Sequence, residues 1–79
     1  MLFNQDLVDE LNVLARYNLT TLAGIKVHHD ASPEVISATA RLFEKGLVDH
    51  KDGGYLTHLG IGVAEKVQSA LMILCPESK

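Results

Sequence analysis

Apolar positions recur along this chain with two different periods, and each period predicts an element. Between residues 5 and 17, Leu7, Leu11 and Leu14 fall on one side of a helix, flanked by Val8 and Ala15. The spacing predicts a helix over Gln5–Tyr17, capped by Asn4 and with Phe3 stapled onto Val8. Leu19–Ala23 has room for one helical turn, which Gly24 ends. Ile25-Lys26-Val27-His28 alternates, as a short strand does. Ser32-Pro33-Glu34 is a helix start: a capping serine, a proline suited to the first helical position, and an acid at the positive end. That helix should run to Lys45 and stop at Gly46, which tolerates a left-handed exit. Its buried arc is Val35, Ile36, Thr39, Leu42 and Phe43.

Leu47-Val48-Asp49 and Tyr55-Leu56-Thr57 then read as two strands joined through Asp52-Gly53-Gly54, glycines that supply the positive φ of a tight hairpin. Thr57 caps a last helix over His58–Leu74, with Leu56 stapled to Ile61. The main apolar arc of that helix is Leu59, Val63, Val67, Ala70, Leu71 and Leu74. Gly60 and Gly62 each weaken its first turns by about 1 kcal/mol relative to alanine.

The predicted order is helix, turn, strand, helix, hairpin, long helix. The fold class is mainly α with a small β wing, the layout of a winged helix-turn-helix. The 79 residues make a single domain, 1–79. The stretch "LFEKGLVDHKDGGYLTHLG" resembles the recognition-helix end, wing and last-helix start of winged-helix regulators of the MarR and PadR kind, in which "K-G-L-[IV]", a glycine-containing hairpin and "L-T-x-x-G" recur in this order. Between Tyr17 and Ser32 those regulators carry a full second helix, and here the pattern allows one turn. The whole chain also resembles a family of short, uncharacterised bacterial proteins carrying "IKVHHD" and "DGGYLT".

Charge changes the picture that the resemblance suggests. The net charge is −3 with neutral histidines, so the chain as a whole has no attraction for nucleic acid or anionic lipid. On the helix over 33–45, the face turned outward should carry Glu34, Ser37, Ala38, Arg41, Glu44 and Lys45. With Asp49, Lys51 and Asp52 of the wing it holds three cations and four anions, against the roughly 6–10 phosphates a specific DNA-binding protein neutralises. Arg41 and Glu44, three apart, should pair on the surface. The residues placed to touch DNA or a protein partner are Ser37, Arg41, Lys45, Lys51 and Tyr55, and His50 and His58 add positive charge at mildly acid pH.

Apolar residues left outside the core arcs point to a second copy. Val13 and Tyr17 on the first helix, and Ile61, Met72 and Ile73 on the last, form a surplus that a homodimer joined through the terminal helices would cover. A chain this short has a thin core, so dimerisation is one way to enlarge it. Cys75 is the one cysteine, which fits a reducing cytoplasm. Neither a signal peptide nor a membrane span is expected.

Catalysis and metal binding have little to work with. His28-His29-Asp30 offers ligands, but adjacent strand residues point to opposite faces, so no metal is expected. Cys75 has no activating partner in view, Ser32 and Thr57 are caps, and Gly53-Gly54 precede a strand rather than a helix. So short a chain should not easily enclose a ligand pocket of about 300 Å³. The expectation is therefore a non-catalytic winged-helix module without cofactor, dimeric, that binds an unidentified protein partner. The alternative is a small DNA-binding transcriptional regulator.

Overall fold

A computed structural model of the chain describes residues 2–75. It contains α1 (Gln5–Leu14), β1 (Ile25–Lys26), α2 (Pro33–Glu44), β2 (Val48–His50), β3 (Gly53–Leu56) and α3 (His58–Leu74). The strands form one antiparallel sheet of order β1-β3-β2. The protein is mainly helical with a small three-stranded sheet, as the periodicity predicts.

Asn4 caps α1, its Oδ1 accepting from the Leu7 amide at 2.9 Å. Regular helix stops at Leu14 rather than Tyr17, because the Arg16 and Tyr17 amides bond three residues back, to Val13 and Leu14. That tightened turn leaves carbonyls free at the helix end. Gln68 of α3 fills the gap, its Nε2 donating to the carbonyls of Leu14 at 3.3 Å and Tyr17 at 2.7 Å. The predicted turn follows as a single loop closed by Leu22 N–H on Asn18 O at 2.8 Å. It ends at Leu22, in a left-handed conformation with φ 57°, and not at Gly24.

The strand after it is half as long as predicted. Ile25 and Lys26 pair with Gly54 and Gly53, and a last bond joins the Val27 amide to Asp52 O at 2.7 Å. Beyond that point the partner chain has turned away at Lys51-Asp52, and nothing remains to pair with.

Pro33 opens α2 as predicted, but the Ser32 side chain makes no cap bond. The Ser32 carbonyl instead takes the Val35 and Ile36 amides, at 3.1 Å each. At the other end, Leu47 N–H reaches Leu42 O at 2.9 Å and Gly46 N–H reaches Phe43 O at 3.0 Å, with Gly46 at φ 83°. This is a Schellman exit, and it turns Leu47 back onto Leu42. Thr57 then ties this exit to the next helix. Its hydroxyl donates to Gly46 O at 2.6 Å and accepts from the Gly60 amide, the first turn of α3, at 3.0 Å.

The hairpin differs from its prediction in one respect. Its turn is Lys51-Asp52, and Gly53 and Gly54 lie inside β3 with φ 120° and 73°. Val48 faces Leu56 while His50 faces Gly53, so β3 carries one extra residue, a bulge. Asp49 fills the gap that the bulge opens, its Oδ1 accepting from the Tyr55 amide at 2.8 Å.

The core is Val13, Leu14 and Tyr17 from α1 and its last turn, Ala38 and Leu42 from α2, Leu47 and Val48, and Ala64 from α3. Two expected arcs are corrected. On α2, Ala38 is fully buried while Ile36 and Phe43 are 37% and 39% exposed, because α1 packs on the Ala38–Leu42 side. On α3, only Gly60 and Ala64 are buried. Leu59, Ala70, Leu71 and Leu74, expected inside, are exposed; the last three lie where α3 leaves the body of the protein, after Gln68.

Candidate functional site

The cations of α2 are not free. Glu10 of α1 is 4% exposed, in the arc buried against α2. Arg41 Nε approaches its Oε2 at 2.6 Å and Lys45 Nζ its Oε1 at 2.5 Å. Arg41 also donates to the Asp6 carbonyl at 3.1 Å. Burial alone would push the Glu10 carboxyl up, but the hydrogen bonds and charges of Lys45 and Arg41 outweigh it and hold the pKa below its ordinary value. The expected Arg41–Glu44 surface pair is thus replaced by a shared ion triad with α1. Sequence carried one sign of this. Glu10 lies three residues after Leu7 and four before Leu14, on the apolar stripe, where a charge needs a partner.

Of the other residues placed at a DNA or partner surface, Ser37 is exposed on α2, Lys51 is exposed at the hairpin turn and Tyr55 is 59% exposed on β3. Arg41 and Lys45 both contact Glu10, with 29% and 53% of their side chains exposed. Lys51 makes no ion pair among the described residues, whereas Lys26 pairs with Asp52 at 3.0 Å.

The proposed dimer residues divide. Val13 and Tyr17 are 1% and 3% exposed and belong to the core. The tightened turn after Leu14 swings Tyr17 inward, where its hydroxyl donates to Gly54 O at 3.1 Å. Burial, with a smaller contribution from the Asp49 charge, pushes its phenol up to about 12. Ile61 is half-buried. Met72 and Ile73 are 74% and 75% exposed, and Leu71 and Leu74 join them. From Ser69 to Cys75 every residue is exposed.

A groove that the sequence did not announce lies between the end of β1, α2 and the hairpin turn. Its volume is about 730 Å³. It is an open trough rather than an enclosed cavity. His28 and His29 both line it. The strand has ended at Lys26, and strand alternation no longer separates them. Among the described residues, no three His, Cys, Asp or Glu side chains come together as a metal set, and no helix is long and apolar enough to cross a membrane.

The sequence model of one family, described as a family of unknown function (DUF5669), matches residues 1–75. This chain is a DUF5669 protein. No curated protein and no solved structure matches it. Within the DUF5669 chain the structure brings together two surfaces, the trough beside the hairpin and the apolar end of α3. Lys26, His28 and His29 line the first.

Proposed function

We propose that this DUF5669 protein is a non-catalytic winged-helix binding module that acts in the cytoplasm as a homodimer and engages a protein partner. The hairpin β2–β3 is the wing, α2 stands where a recognition helix stands, and β1 pairs on the far side of β3. The observation that carries the binding reading is the end of α3. Leu71, Met72, Ile73 and Leu74 are 43–76% exposed on a helix that is apolar on every side there, and such a helix is covered by something. The Glu10 triad supports a protein rather than a DNA partner, because it takes both cations of α2 away from any phosphate.

Sedimentation equilibrium at micromolar concentration tests the dimer. The expected mass is twice the 8.6 kDa of one chain, and Met72→Ser with Ile73→Ser should return it to one chain while the circular dichroism spectrum stays unchanged. A single-chain mass across the whole concentration range sinks the reading. The DNA-regulator alternative has Lys51 and the neighbouring histidines in its favour. Duplex binding at about 50 mM salt that falls steeply with added salt and is lost in Lys51→Glu would replace the first reading with it.

A further inference from the structure

The trough beside the hairpin is left over by a dimer formed through α3, and its origin is the short connection after β1. Residues 27–32 join β1 to α2 without forming a helix. They leave Ile36 uncovered, 37% exposed on α2. The resulting space of about 730 Å³ falls in the range of small-molecule sites. Val27, Ile36 and Ala40 supply apolar surface. The titratable groups come from two sides only: Lys26, His28 and His29 from β1 and its connection, and His50, Lys51 and Asp52 from the hairpin. From α2 no titratable side chain lines the trough.

The signs of these groups are unequal. Asp52, the acid among the lining residues, is already held by Lys26 at 3.0 Å. Asp49, against His50, is held by the Tyr55 amide at 2.8 Å and the His50 ring at 2.7 Å, and both contacts keep its carboxyl below the ordinary range. Lys51 has no ionic partner among the described residues. A neutral imidazole still carries one N–H that can donate to an anion. One unpaired ammonium and the His28 and His29 imidazoles beside apolar surface complement a ligand with a single anionic head and an apolar body. An extended polyanion fits worse, since it needs several unpaired cations in a row. An aliphatic cation would meet Lys51 with the wrong sign.

We propose that this trough binds a small amphipathic organic anion, one carboxylate on an apolar chain or ring. The head lies against Lys51 and the imidazoles, and the body against Val27, Ile36 and Ala40. The site lies apart from the end of α3, and its occupancy can be read whether the protein is one chain or two.

The test is a titration of the ¹⁵N-labelled protein with octanoate, and in parallel with octylammonium. The expected result is saturable shifts at residues 26–29, 36–40 and 50–52 with octanoate. Lys51→Glu should weaken binding by roughly threefold to tenfold, the size of effect expected from reversing one charge near the carboxylate at a wet surface, and Ile36→Asp should abolish it while the remaining resonances keep their positions. Octylammonium should leave the same amides unmoved. Shifts gathered instead on Leu71–Cys75, equal binding of octylammonium, unchanged affinity in Lys51→Glu, or no response to octanoate would each overturn the proposal.

Discussion

Replacing Glu10 by glutamine keeps the shape of the side chain and removes its charge. In the wild-type protein that charge is 4% exposed and receives Arg41 at 2.6 Å and Lys45 at 2.5 Å. Hydrogen bonds to charged groups contribute roughly 1.5–3 kcal/mol each when buried. Here both cations reach water, with 29% and 53% of their side chains exposed, and they can turn outward once released. The net loss should therefore be about 1–3 kcal/mol, below the 3–5 kcal/mol seen when a fully buried pair is broken. For a domain of this size that lowers Tm by roughly 5–20 °C. The pH dependence is the sharper readout. The folded-state pKa of Glu10 lies below its ordinary 4.5, so its stabilisation is fully present above that value and is lost as pH falls through the folded pKa. Thermal melts of wild type and Glu10→Gln should differ by a constant amount at neutral pH and converge as the pH falls through the folded-state pKa. The substitution also frees Lys45, at the end of α2, and leaves Arg41 with only the more distant Asp6 carboxylate at 3.9 Å. Low-salt retention of duplex DNA should rise, with a salt slope steeper by up to about 2. Equal melting temperatures at neutral pH, or a gap that survives in acid, would refute the argument that the triad holds α1 to α2.

Two glycines of α3 should respond in opposite directions. A Cβ on Gly60 would collide with the Leu47 carbonyl oxygen, so Gly60→Ala should cost about 1–3 kcal/mol. Nothing lies within 4 Å of a Cβ on Gly62, so Gly62→Ala should stabilise by roughly 0.5–1 kcal/mol; urea midpoints of the two variants on either side of wild type are the check. Tyr17→Phe removes the donor to Gly54 O and should cost about 0.5–1.5 kcal/mol. The Tyr17 phenol is pushed from 10.0 up to about 12, which means that its contribution is whole below pH 10 and drains away as pH rises towards 12. Urea midpoints of the wild-type protein should fall across that window more steeply than those of Tyr17→Phe, and parallel curves would count against a buried neutral phenol.

The elements were legible because each carries its own punctuation. Asn4 and Thr57 cap where they should, Pro33 opens α2 and Gly46 closes it, and none of these signals needs tertiary contact to act. Which face of each helix turns inward was not legible. Leu7, Leu11 and Leu14 mark a stripe on α1, yet the buried arc is Glu10, Val13, Leu14 and Tyr17, one step around. Two causes lie outside local pattern: the tightened turn that rotates Tyr17, and a buried acid whose partners sit more than 30 residues away. The hairpin shows the same limit on a smaller scale. Paired glycines announce positive φ, but only the approach of β1 and of the Asp49 carboxylate decides that they lie in the strand and not at its tip. The trough was hidden for a related reason, since it is made by what the segment after β1 does not cover.

Both candidate surfaces follow from one shortage of covering chain. Six residues between β1 and α2 leave Ile36 and Ala40 without a neighbour on one side, and α3 outruns the body that could bury it. The two exposures nevertheless differ in what can relieve them. The end of α3 is apolar all round, so partial cover leaves another face wet, and a helix or helices from a second chain suit it better than a small molecule. The trough has apolar surface on one side and protonatable groups on the other, which a second apolar helix would desolvate without pairing, at a cost of several kcal/mol for each charge. Protein association should therefore concentrate at α3 and small anions beside the hairpin. A variant pair that separates them, Met72→Ser with Ile73→Ser against Lys51→Glu, should change the mass in solution in the first case and the octanoate response in the second, with neither crossing over.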